Sequence, residues 1–107
     1  MRAYASLRRR SEFARVHRRG RRQTGEFLTC LVIPGAVATR IGVSISTEIG
    51  GAVVRNRLRR RLKAILDRYG LDRPPFRDIV FSARPGAGAL DFEDLRTQVE
   101  RTLGPLA

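Results

Sequence analysis

Apolar positions between Gly50 and Tyr69 recur at helical steps, with Val54, Leu58, Leu62, Ile65 and Tyr69 on one stripe. Arg57, Arg60 and Lys63 fall on the opposite side, with Asn56 and Arg59 beside them. Arg55 and Arg61 sit near the seam, where their stems cover apolar surface and their charged heads reach out. The pattern predicts a helix with one buried face and one cationic face. Gly50-Gly51 breaks the chain before it, and Gly70 is placed for a left-handed cap.

Elsewhere the period changes. The run Phe-Leu-Thr-Cys-Leu-Val-Ile within Glu26–Ile33 is almost continuously apolar and predicts a strand covered on both faces, closed by Pro34-Gly35. From Arg40 to Ser46 the alternation is strict: Ile41, Val43 and Ile45 point one way, Gly42, Ser44 and Ser46 the other. These two strands read as an antiparallel hairpin. The small-residue face suits either a closely packed helix or an open surface. Arg77–Arg84 is a further strand with Ile79 and Phe81 on one face, reached through a linker that Pro74 and Pro75 keep irregular.

Two shorter helices complete the chain. Ser11 can cap a helix through Arg18 that Gly20 ends, with Phe13 and Val16 sharing a face and His17 one turn beyond Phe13. Asp91 can cap a last helix whose Leu95, Val99 and Leu103 form a buried stripe, with Asp94 in the first turn, where the helix dipole favours negative charge. Residues 1–10 carry four arginines and little that builds a core, so they read as a mobile basic arm. The result is one α+β domain spanning residues 1–107, a layer of helices on a small sheet.

Charge changes the picture from a fold to a function class. The net charge is +12, and all but one of the 22 basic residues are arginine. Nine of them lie in positions 1–22 and seven between Arg55 and Arg68, so the field is concentrated rather than spread. A solvated helix face mixes signs, because like charges at i,i+4 repel. Six basic residues between Arg55 and Lys63, with no acid among them, make sense opposite a polyanion, and nucleic acid is the commonest.

Candidate catalytic chemistry is thin. One cysteine, Cys30, and one histidine, His17, leave no intrachain disulfide, no cysteine-cluster zinc site and no histidine pair. The acids Asp91, Glu93 and Asp94 are explained by helix capping more simply than by metal binding. No apolar run approaches the ~20 residues of a membrane span, and the N-terminus lacks the apolar core of a signal peptide. A cytoplasmic protein without catalytic or metal-binding side chains is expected.

Arg55-Asn56-Arg57-Leu58-Arg59-Arg60, followed by Lys63, resembles the Arg-Asn-Arg signature of the protein subunit of bacterial ribonuclease P. Further matches follow in order: Leu7-Arg8-Arg9 with Phe13, Val16 and Gly20; Val43-Ser44-Ile45-Ser46 with Ile49-Gly50 and Ala52-Val53; and Asp78-Ile79-Val80 with Ala83-Arg84-Pro85. The resemblance spans Leu7 to Leu103. It implies a two-layer α/β sandwich of order αβββαβα, with a small mixed sheet and a left-handed crossover through the arginine helix, against the usual hand.

The activity implied is removal of the 5′ leader of precursor tRNA, with the catalysis in an RNA subunit that binds most of the Mg²⁺. The partners implied are that ribonuclease P RNA and precursor tRNA, with no membrane and no protein partner required. Arg55, Asn56, Arg57, Arg59, Arg60 and Lys63, with Arg8 and Arg9, would bind RNA. Phe13, Val16 and His17, with Leu28 and Cys30 on the strand opposite, would form a cleft for the single-stranded leader. The sequence departs from the family where His17 and Cys30 replace usual aromatics and where Thr47-Glu48 replaces a lysine pair.

Three other readings fit part of the pattern. A general RNA-binding protein, such as a ribosomal protein or RNA chaperone, would explain the charge equally well. A basic helix on a membrane surface would leave its apolar stripe without a core role. A protein-only nuclease would have to find its catalytic groups among residues already assigned to capping and packing.

Overall fold

The computed structural model describes residues 5–106. In chain order the elements are β1 (Ala5–Ser6), α1 (Arg10–Arg19), β2 (Arg21–Thr24), β3 (Leu28–Pro34), β4 (Arg40–Ser44), α2 (Ala52–Asp67), β5 (Arg77–Ala83) and α3 (Phe92–Leu103). This is the expected αβββαβα order with β1 added in front. The strands make one mixed sheet ordered β1-β4-β5-β3-β2.

The expected hairpin between β3 and β4 does not form. β5 inserts between them, antiparallel to β3 and parallel to β4. β3 is apolar along nearly its whole length and β4 alternates, yet both sit inside the sheet, and local pattern does not say which neighbour each takes. β4 and β5 are thus parallel neighbours joined through α2, the crossover that the resemblance implies.

The alternation seen in sequence sorts the two faces. Leu28, Cys30, Val32, Ile41, Ile45, Ile79 and Phe81 join Leu58, Leu62, Ile65 and Leu66 of α2 and Leu95, Val99 and Leu103 of α3 in one large core. On the other face α1 covers a small cluster of Leu7, Val16, Leu31, Ile33 and Val80, with Phe13 packed against it. On the small-residue face of β4, the choice left open is settled both ways. The Phe13 ring lies so close to Gly42 that a Cβ there would sit 2.6 Å from it, while Ser44 is exposed.

The ends of the helices follow local chemistry, with corrections. Ser11 lies inside α1, and Arg9 is its N-cap. The first turn is closed by Glu12, whose Oε1 accepts the backbone N–H groups of Arg9 at 2.9 Å and Arg8 at 3.2 Å. Gly20 ends α1 as expected. α2 stops at Asp67 with Arg68 as its cap, so Gly70, at φ 75, turns the chain three residues later rather than capping the helix. Asp91 does cap α3, accepting the Asp94 N–H at 2.8 Å.

The arm is also corrected. Residues 1–4 lie outside the described residues, but Ala5–Ser6 pairs with β4, the Leu7 N–H donates to the Ile41 carbonyl, and Leu7 is buried.

Candidate nucleic-acid interface

α2 is positioned by its apolar stripe: Leu58, Leu62, Ile65 and Leu66 are buried against the sheet and α3, which turns the opposite face outward. Arg60 and Asn56 are exposed, and Arg55, Arg57, Arg59, Arg61 and Lys63 are half-buried. Salt bridges among the described residues join Arg40 to Glu12 and Asp78, and Arg96 to Glu93 and Glu100; none involves an arginine of α2.

What the α2 arginines bond instead is neutral. Arg57 donates to the Gly88 carbonyl at 3.4 Å, Arg61 to the Leu90 carbonyl at 3.1 Å, and Arg59 to the Asn56 side-chain oxygen at 3.2 Å. Arg57 and Arg61 are thereby steadied against the β5–α3 connection without losing charge. The Nε of Arg55 is buried with no hydrogen-bond partner. An array of guanidinium groups held from behind and not neutralised suits phosphate oxygens, which guanidinium forks match in geometry.

Arg8 and Arg9 are exposed at the corner between β1 and α1. The tertiary structure links that corner to α2. Ser6, Leu7, Phe13, the β4 residues Ile41 to Val43, and Arg59 and Lys63 of α2 line one depression along β4. Residues from three distant stretches of sequence meet there.

The leader cleft is partly overturned. Phe13 is half-buried and Val16 fully buried on the α1 face, with His17 exposed beside them. Leu28 and Cys30 do not oppose them. Both are completely buried in the large core on the other side of the sheet. The strand was correct and its face was not: in β3 the residues turned toward α1 are Leu31 and Ile33. Burial pushes the Cys30 thiol up to about 12, so it is a chemically quiet core residue.

A row of hydroxyl side chains was missed in sequence. Strand register aligns Ser44, Ser82, Thr29 and Thr24 across β4, β5, β3 and β2. This row lies next to the Gly42, Val80 and Leu31 row that α1 covers, and both its ends are exposed. Beyond the covered row on the other side, Arg40 grips Asp78 with two hydrogen bonds of 3.0 and 2.6 Å and also pairs with Glu12. Glu12 therefore ties α1 to Arg40, while the Phe13 ring packs over Gly42 and His17 is exposed. Only the Gly42/Ser44/Ser46 alternation of β4 had a sequence signal; the rest of the row needs the register.

Electrostatics fix that tie. The Glu12 carboxyl is held below its ordinary value first by the Arg9 and Arg8 backbone donors and then by Arg40. The Arg40 guanidinium is raised chiefly by its hydrogen bonds to Asp78. Glu12 and Asp78 are thus committed to structure.

The Ribonuclease P family model matches residues 1–107. The chain belongs to the ribonuclease P protein family. The ribonuclease P protein component of Acidothermus cellulolyticus is 40% identical over 106 residues, covering 94% of this chain and 86% of that protein. That of Streptomyces avermitilis is 40% identical over 113 residues, covering 92% and 91%. Among solved structures, the RNase P protein of Staphylococcus aureus superposes with a TM-score of 0.87 at 19% identity over 94% of each chain. That of Thermotoga maritima gives 0.77 at 26% identity, over 88% of this chain and 90% of that one. Membership makes this chain the protein component of a ribonuclease P, an endoribonuclease holoenzyme, and decides against a ribosomal protein or a general chaperone. No helix among the described residues is long and apolar enough to cross a membrane.

Proposed function

We propose that the chain grips the catalytic RNA of its holoenzyme with α2 and holds the 5′ leader of precursor tRNA in a trough beside α1, in the cytoplasm. The observation that carries this reading is the outward face of α2, where five arginines lack any carboxylate partner among the described residues. Arg55, Arg57, Arg59, Arg60 and Lys63 supply the phosphate contacts, with Asn56 orienting Arg59 and with Arg8 and Arg9 extending the surface. Such contacts release counterions, so affinity should fall by roughly 10³–10⁵ between 50 and 200 mM salt if ~6–10 phosphates are neutralised.

In the trough, Phe13 and His17 offer ring faces to unpaired bases, which stack without strong sequence preference. The hydroxyls of Ser44 and Thr24, which are exposed, and of half-buried Ser82 offer donors and acceptors to sugars and phosphates, while Thr29 is buried between them. Val16 positions the wall from below, and Leu28 and Cys30 drop out of the contact set. Mg²⁺, held mainly by the RNA subunit, supplies the activation needed for phosphodiester hydrolysis. Glu12, Asp78 and Asp91 fit poorly as metal ligands, because each already accepts protein donors. The chain's own part is binding, alignment and screening of repulsion between two RNAs.

The test is reconstitution with the cognate catalytic RNA. Protein should speed leader removal and lower the Mg²⁺ it requires; no gain would overturn the reading. Replacing Arg57, Arg59 and Arg60 with Gln should abolish assembly while the melt stays within about 0.5 kcal/mol of the parent.

A further inference from the structure

α1 carries a second uncompensated cationic strip that the trough and the α2 face do not use. Arg15, Arg18 and Arg19 on α1 and Arg21 at the start of β2 are all exposed. None takes part in a salt bridge among the described residues, and Glu12, the one acid on α1, is held by Arg40 and by backbone donors. At the helical period, Arg15 and Arg19 lie about 160° round α1 from Phe13 and His17. The strip therefore looks away from the trough wall.

Two structural explanations account for part of it. Basic residues in a last helical turn suit the dipole, which favours Arg18 and Arg19. An arginine on an edge strand discourages pairing with another chain, which favours Arg21 on β2. Neither explains Arg15, nor the i,i+4 repulsion between Arg15 and Arg19, which costs stability in the free protein.

The partner's chemistry can be read from what surrounds the strip. The large apolar side chains of α1, Phe13 and Val16, pack on the sheet cluster, and its remaining ring, His17, lies one turn beyond Phe13, away from Arg15 and Arg19. With no ring beside it the strip is unsuited to unpaired bases, and with no large apolar side chain beside it the strip has nothing to insert into a lipid surface. Bare guanidinium groups in a row suit the phosphate backbone of a duplex. α1 and α2 cover opposite faces of one sheet, and the molecule is at least 25 Å across. One straight duplex cannot lie against both outward faces.

We propose that Arg15, Arg18, Arg19 and Arg21 form a second RNA surface that binds the backbone of a duplex segment while α2 holds another, so that the chain is a two-sided bridge. This shares RNA as the partner with the function proposed above but not its site. Titrate the full chain calorimetrically with a short blunt RNA duplex carrying no tRNA or ribozyme sequence, at near-physiological salt. The parent should take up two duplexes per chain. R15Q/R18Q/R19Q/R21Q should take up one, with an unchanged melt, and the matching four-lysine variant should keep two. R18E alone should weaken the second uptake without abolishing the first.

A parent that takes up only one duplex, or a glutamine variant that still takes up two, overturns the proposal. So does loss of binding to anionic lipid vesicles in that variant with duplex uptake unchanged. Leader removal by the parent protein with the catalytic RNA is scored separately. Failure there with two-duplex uptake intact sinks only the earlier reading, and the reverse result sinks only this one.

Discussion

The two faces of the sheet are built to different standards. On one, α2 and α3 bury aliphatic stripes over Leu28, Cys30, Val32, Ile79 and Phe81, and most of the chain's large fully buried side chains are there. On the other, α1 alone covers four buried residues with its own Val16, leaves the ends of the hydroxyl row open, and is fastened by salt bridges. The thick side supplies stability and fixes the direction of the α2 arginines. The thin side keeps surface available for a ligand, at the cost of resting on a polar clamp. Burial is non-directional and roughly proportional to area, whereas the clamp is local and fails when one member is lost.

The sharpest way to break this contrast is Phe81→Ala, which empties the thick side. It should cost about 3–5 kcal/mol in chemical denaturation; a loss below 1 would mean that the large core does not carry the fold. Arg40→Ala leaves Asp78 buried and unpaired, and should cost about 2–3 kcal/mol, the low end because Arg40 is 36% exposed. Amide exchange should then rise in α1 far more than in α2. Equal rises in both would erase the distinction between the faces.

Gly42→Ala drives a methyl group into the Phe13 ring and should cost about 1–3 kcal/mol. It should also weaken leader binding while leaving assembly through α2 intact, as read by separate titrations of single-stranded and ribozyme RNA. The smallest effect is acid loosening of α1. Glu12 is lowered in the folded chain, so its contribution is complete above its ordinary value of 4.5 and is lost as pH falls through the lower folded value. Exchange of α1 amides should rise in that window, and Glu12→Gln should remove the pH dependence.

Much of this organisation was legible beforehand. The helical period of Leu58, Leu62 and Ile65 gave α2 and its outward arginines, and the stripe Leu95, Val99, Leu103 with the Asp91 cap gave α3. Strand β3 was legible as an element, but not its facing. Because it is apolar on both sides, Leu28 and Cys30 looked as able to face α1 as Leu31 and Ile33 do. The cap at Ser11 failed because Glu12 closed the turn from inside the helix, and the arm failed because Leu7 found a pocket between elements distant in sequence.

By itself the sequence determined the three helices and the strands β3, β4 and β5, though not β1 or β2, as well as which side of α2 is cationic and that the partner is a polyanion, since these depend on periodicity and charge within a few neighbouring residues. Only the tertiary structure decided that β5 separates β3 from β4, that Ser44, Ser82, Thr29 and Thr24 align in one row, and that Glu12 of α1 is tied to Arg40. Those facts depend on strand order and register, which are set by the summed burial of surfaces far apart in the chain, and a one-residue shift in register turns every side chain to the opposite face.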